Sequence, residues 1–158
     1  MKIQLIKEKI NPIKIPEQCQ FDRLILEGDE LKEKLNDYLS RFIVGTLDPD
    51  LIGANPDGFI KNMMNNRLGD FLKRYILTAA LDNQTVGILI ALPKDDNVMH
   101  IFSLHVLPEF RQNGVASAML IKCINDFFDE NYSSILIDVH VNNIPAYNLY
   151  KKFGFVKY

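Results

Sequence analysis

The chain has 158 residues, 47% hydrophobic and 24% charged, with a formal net charge of −2. This predicts a single globular domain over residues 1–158 with a substantial core. Without a basic excess, a nucleic-acid ligand is not expected. No run approaches the roughly 18 apolar residues of a membrane span, and the N-terminal MKIQLIKEKI lacks the apolar core of a signal peptide. The two cysteines, Cys19 and Cys123, stand far apart and outside any metal-ligand pattern. The expectation is therefore a cytoplasmic protein with no metal and no membrane partner.

Ile3, Leu5 and Lys7 alternate with polar neighbours and predict a first strand. Asn11-Pro12 and Pro16 break the chain, and Phe21–Leu26 reads as a short second strand or an entry segment. From Gly28-Asp29, apolar residues at Leu31, Leu35, Tyr38, Leu39 and Phe42 follow the helical period, ending near Gly45. A turn-rich stretch carries Asp48, Asp50 and Asp57. Asp57 is placed as the cap of a second helix through Phe59, Met63, Arg67 and Leu68, extending toward Phe71 or Leu72. Tyr75–Leu81 and Thr85–Leu92 then flank Asp82-Asn83-Gln84 as a hairpin. Pro93–Asn97 is a turn, and Val98–Val106 is the third strand of the meander. A helix is predicted from Val115 to Asn131, a central strand over Ser134–Val141, and a last helix from Ile144-Pro145 to a Gly154 cap. Phe155–Tyr158 is a final strand fragment.

The segment between strand and helix, VLPEFRQNGVASAML (residues 106–120), organises the chain. A tight loop feeding a helix N-terminus gathers unpaired backbone N–H groups with the positive end of the helix dipole behind them. Gly114 and Ala116 keep side chains out of the way of a close-lying ligand. The helix carries no Asp or Glu before Asp126, which leaves its dipole open to an outside anion such as a phosphate.

Two segments together resemble the GCN5-related N-acetyltransferase (GNAT) family. The first is that 106–120 segment, similar to the family's R/Q-x-x-G-x-G/A acetyl-CoA motif after V-x-P. The second is NNIPAYNLYKKFGF (residues 142–155), similar to N-x-x-A-x-x-L-Y-x-x-x-G-F, with Asn143, Ala146, Leu149, Tyr150, Gly154 and Phe155 in register. The resemblance covers roughly Tyr75 to Phe155. It implies an α+β (mixed α/β) acyl-CoA N-acyltransferase fold, with a mostly antiparallel twisted sheet flanked by helices. It also implies an enzyme moving acetyl from acetyl-CoA to a primary amine of a small molecule or peptide by direct attack.

In that reading Arg111, Gln112, Asn113, Gly114, Val115, Ala116 and Ser117 form the pyrophosphate loop, although the Arg111 side chain is equally suited to a surface ion pair. The resemblance implies a bulge near Leu104–Val106, whose backbone pairs with the pantetheine arm while the Val106 N–H faces the thioester oxygen. Asn143 is read as a pantetheine contact, a helix N-cap, or both, and Ala146 lies beside it. Tyr150 is placed as the acid that protonates the leaving thiolate, against a reading as a core tyrosine packed with Leu149 and Phe153. His100 is the first candidate base, sharing the strand face of Val106 by simple alternation. His105 faces the other way, with Asp138 and His140 on the adjacent strand. Asp48, Asp50 and Asp57 are either solvated turn residues or an attraction for an ammonium group.

The chain ends four residues after Gly154, where the family continues into another strand. Either the last strand is missing, or the N-terminal segment or a partner fills the edge, and an open edge invites a homodimer. The competing functional readings are a non-catalytic acyl-CoA-binding or regulatory module and a dinucleotide-binding oxidoreductase. Only one glycine of G-x-G-x-x-G is present for the latter.

Overall fold

The computed structural model describes residues 1–8, 19–46 and 55–158. The predicted breaks at Asn11-Pro12 and Pro16, and the acids Asp48 and Asp50, lie outside the described residues. The elements are β1 (Lys2–Glu8), β2 (Gln20–Arg23), α1 (Gly28–Phe42), α2 (Asp57–Met64), β3 (Tyr75–Leu81), β4 (Gln84–Pro93), β5 (Val98–Val106), α3 (Val115–Asp129), β6 (Ser134–His140), α4 (Ile144–Lys152) and β7 (Val156–Lys157). They form a seven-stranded sheet in the order β2-β3-β4-β5-β6-β1-β7. Every neighbouring pair is antiparallel except β5 and β6.

The β3–β4 hairpin turns on Asp82 and Asn83, both at positive φ, the geometry a two-residue turn needs to match the strands' twist. β4 is continuously buried from Val86 to Pro93, as expected of a central strand covered on both faces. Gly87 sits at a close approach: a Cβ there would come within 2.6 Å of Met119 Sδ, so α3 lies directly over it. Gly87 and its cross-strand partner Val106 therefore mark the α3 face of the sheet, while α1 and α2 pack on the other. On the α3 face the Tyr75 ring meets Phe127 edge-on at 4.7 Å. The Tyr75 hydroxyl donates to Asp126 Oδ2 at 2.6 Å, which satisfies a phenol whose pKa burial drives upward.

Two expectations change. The second helix ends at Met64 rather than continuing through Leu68. Asn66 turns left-handed (φ 61) and its side chain accepts the Phe71 N–H, so the chain leaves the helix for a short 3₁₀ turn at Phe71–Lys73. Asp57 is not the cap either: it is the first helical residue, and Asn55 Oδ1 accepts its N–H at 2.9 Å. The edge beyond β6 is filled from within. β1 pairs with β6 along its whole length, from Lys2 opposite His140 to Glu8 opposite Ser134, and β7 pairs in turn with β1. Among the described residues no helix is long and apolar enough to cross a membrane.

Candidate functional site

β5 and β6 are paired only from Val98/Ser134 to Ile101/Ile137. Beyond that point both strands continue, to Val106 and His140, without pairing to each other. The result is a V-shaped opening in the middle of the sheet, bordered by two strand edges whose backbone groups have no ladder partner on that side. Leu107 N–H donates to Val86 O on β4 at 2.8 Å. Strand alternation then turns the N–H and C=O of Val106 and Leu104 the other way, into the opening.

A cleft of about 390 Å³ occupies this place, within the roughly 300–1,000 Å³ of small-molecule sites. Leu104 and Val106 line it from β5. Arg111, Gln112, Gly114, Val115, Ala116 and Ser117 line it from the loop and α3, and Asn143, Ala146 and Tyr150 from α4. Asn113 is exposed and off the wall. Six further wall residues were not anticipated as site residues: Gly45, Thr46, His105, Phe110, Pro145 and Leu149. Leu149 lay inside the quoted motif and His105 on the expected strand. Gly45 and Thr46 arrive from the end of α1 and had no local signal beyond the glycine stop.

The loop before α3 is shaped for an anion. Gln112 and Gly114 both have positive φ, 65° and 80°, and this alternation turns successive N–H groups toward one side. The first helical bond of α3 is Ala118 N–H to Gly114 O, and no side chain caps the helix. Among the described residues, the N–H groups of Gln112 to Ser117 have no protein acceptor. The first turn holds no acidic residue to compete for them.

Among the described residues Arg111 makes no ion pair, and most of its donors are taken by backbone carbonyls. Its Nε donates to Val106 O at 3.0 Å, Nη1 to Gly45 O at 3.1 Å, and Nη2 to Phe42 O at 3.0 Å and Val44 O at 2.7 Å. Asn143 caps α4, its side-chain oxygen accepting the Ala146 N–H at 3.4 Å. Tyr150 is 6% exposed, on the cleft wall, with its ring 5.9 Å from Phe155. Asn143 is thus a helix cap that also lines the cleft, and Tyr150 a nearly buried residue that also lines it.

His100 is not on the cleft wall, and the simple alternation that placed it with Val106 does not hold. Ile90 pairs with Ser103 but Ala91 pairs with Ile101, so Phe102 is an extra residue in β5, a bulge two residues ahead of the expected position. The bulge resets the alternation. His100, Ser103 and His105 lie opposite Leu92, Ile90 and Ile88 on the α1/α2 face, whereas Leu104 and Val106 lie on the α3 face. His100 stacks on Phe102 at 4.1 Å, and its Nε2 stands 3.3 Å from Asp138 Oδ2 on β6. The angle is too poor for that contact to satisfy the buried nitrogen as a hydrogen bond. Asp138 in turn accepts from Gln4 Nε2 on β1 at 3.2 Å. Burial lowers the His100 pKa below its ordinary value of 6.5, with Asp138 pulling it back up. His140 is occupied elsewhere, its Nδ1 accepting the Asn142 N–H. Asp57 lies beside Asn36, Asp37 and Glu33 on the α1/α2 surface, away from this cleft. Cys123 is buried with its thiol pKa pushed up, so it is not held as a thiolate nucleophile. Among the described residues no cluster of His, Cys, Asp or Glu is arranged to hold a metal.

Residues 42–155 match the model of the Acetyltransferase (GNAT) family. An N-alpha-acetyltransferase of Sulfolobus acidocaldarius is 27% identical over 144 residues, covering 80% of this chain and 84% of that protein. An N-alpha-acetyltransferase of Sulfurisphaera tokodaii is 30% identical over 103 residues, covering 54% of this chain and only 60% of that protein's length. A GNAT family acetyltransferase from Elizabethkingia anophelis, solved with acetyl-CoA bound, superposes with a TM-score of 0.62 at 17% identity over 89% of this chain and 78% of that one.

Proposed function

Because this chain belongs to the Acetyltransferase (GNAT) family, we propose that it is an N-acetyltransferase carrying an acetyl group from acetyl-CoA to a primary amine of a small molecule or peptide. The observation that carries this reading is the run of N–H groups from Gln112 to Ser117 that have no acceptor among the described residues, at the cleft where β5 and β6 part. A pyrophosphate satisfies that run, and an extended amide-bearing arm suits the unpaired β5 edge at Leu104 and Val106.

Acetyl-CoA would supply a thioester carbonyl activated toward amines. The chain's own groups do the rest. The Val106 N–H, turned into the opening, donates to the carbonyl oxygen as negative charge develops there. The His100–Asp138 pair sits at the base of the V on the α1/α2 face. A neutral imidazole there takes the proton that an ammonium acceptor must lose, through an intervening water. The amine nitrogen bonds to the carbonyl carbon, the carbon–sulfur bond breaks, and Tyr150 gives its phenolic proton to the departing thiolate. The phenol and a thiol have neighbouring pKa values, so this transfer needs little driving force. Two relatives named N-alpha-acetyltransferase make a peptide N-terminus the first acceptor to try.

Calorimetric titration with acetyl-CoA and with CoA, followed by thiol-release assays against peptide N-termini and small amines, tests the reading. Micromolar binding with turnover of an amine is the expected result. Binding without turnover of any amine favours the non-catalytic acyl-CoA module. No binding by folded protein overturns both.

A further inference from the structure

Arg111 stands at the junction of the two halves of the cleft wall. On one side, the backbone of Gln112–Ser117 begins immediately after it. On the other, its guanidinium collects the carbonyl of Phe42 at the C-terminal end of α1, those of Val44 and Gly45 just beyond it, and that of Val106 at the end of β5. A helix end leaves carbonyls without intrahelical partners and carries partial negative charge, so a fixed cation with several donors is well matched to it. Four bonds engage four of the five N–H donors of the group, leaving little of it for a ligand. Gly45 is shaped to the same contact: its φ is +69°, and a Cβ there would lie 3.3 Å from Arg111 Nη1. Gly45 and Thr46 are themselves cleft wall.

We propose that Arg111 is a positioning residue that locks the end of α1, the end of β5 and the anion loop into one unit, so that the Gly45–Thr46 wall and the Val106 edge are set for the pantetheine arm. This rests on the acetyltransferase reading above and adds a role for the motif's arginine that does not depend on touching phosphate. A lysine cannot replace it, because one ammonium cannot span Val106 O and the carbonyls of Phe42, Val44 and Gly45.

Acetyl-pantetheine, which has the thioester arm but no pyrophosphate, separates positioning from phosphate binding. In Arg111→Ala, kcat/KM is expected to fall at least tenfold for acetyl-CoA and by a similar factor for acetyl-pantetheine, mostly through KM. Arg111→Lys should fall as far, and millimolar guanidinium ion should restore part of the loss in Arg111→Ala. Hydrogen exchange adds a readout independent of catalysis: the amides of Ile43 and Thr46, bonded to Leu39 O and Ile43 O, should exchange faster in the variant. Gly45→Ala, which keeps the arginine but crowds its Nη1, should show the same pattern more weakly if Arg111→Ala folds poorly. An unchanged kcat/KM for acetyl-pantetheine, or unchanged exchange at Ile43 and Thr46, overturns the proposal. Failure of the wild-type protein to bind acetyl-CoA would instead overturn the functional reading, while the exchange rates would still decide whether Arg111 holds the α1 end.

Discussion

His100 Nε2 on β5 lies 3.3 Å from Asp138 Oδ2 on β6, one residue past Ile137, the last position at which the two strands pair. The contact lies at the point where the strands part. Burial lowers the His100 pKa from 6.5 and the charge of Asp138 opposes that shift. With His100 as base, kcat/KM for the amine should therefore lose activity only below pH 6.5. Asp138→Asn removes the group that holds the pKa up, so the acid limb should move to lower pH. His100→Gln should abolish that limb and cut turnover by about 100-fold. A limb that stays in place in both variants belongs to another group, such as the acceptor itself.

The same shift has a consequence for stability. The unfolded imidazole titrates at its ordinary value and the folded one lower, so between the two the unfolded state binds more protons. Stability should fall as pH drops from 6.5 through the folded pKa. Urea midpoints between pH 7 and pH 5 should show that slope reduced in His100→Gln, against a background from other groups common to both proteins.

Tyr150 is on the cleft wall and nearly buried. Removing its hydroxyl leaves the ring packing against Phe155 intact. Tyr150→Phe should lower kcat by about 100-fold with acetyl-CoA affinity within a few-fold by calorimetry. Weakened affinity with unchanged kcat would assign the residue to packing or binding.

Gly114 has φ 80° at the N-terminus of α3. An alanine there carries a left-handed backbone penalty of about 1–2 kcal/mol yet keeps the N–H array, so it should bind CoA weakly. Gly114→Glu adds a competing carboxylate and should abolish binding. Equal CoA affinity in Gly114→Glu and wild type would remove this loop from the site.

Phe127 is fully buried and packs edge-on against Tyr75. Phe127→Ala should cost about 3–5 kcal/mol in chemical unfolding. Because Phe127 lies away from the cleft wall, the CoA affinity of the folded fraction should stay near wild type. A large affinity loss would mean that α3 is positioned from its far end.

Much of this was legible locally. The helical period of α1 from Leu31 to Phe42, the Asp82-Asn83 turn, the Val98–Val106 strand and the Gly154 stop are all set by neighbours within a few residues, and all appear in place. The form of the loop before α3 was legible for the same reason, because a positive-φ glycine and an uncapped helix start are local properties. The end of α2 was not, because Asn66 leaves the helix to bond Phe71, and the periodicity of Arg67 and Leu68 carries no trace of that bond.

The bulge at Phe102 shows the limit most plainly. Alternation is a local rule, and it put His100 beside Val106. A single extra residue, visible only in the pairing with Ile90 and Ala91, moved His100 to the other face and onto Asp138. By itself the sequence determined most of the elements, the glycine-bearing loop before α3 and the family pattern, since backbone dihedrals and hydrophobic period depend on near neighbours. Only the tertiary structure decided that β1 closes the sheet beside β6, that β5 and β6 part after Ile101 and Ile137, and that Arg111 reaches the end of α1. Each of these joins residues from tens to more than a hundred positions apart, and such contacts are chosen by how whole faces pack, not by the residues on either side.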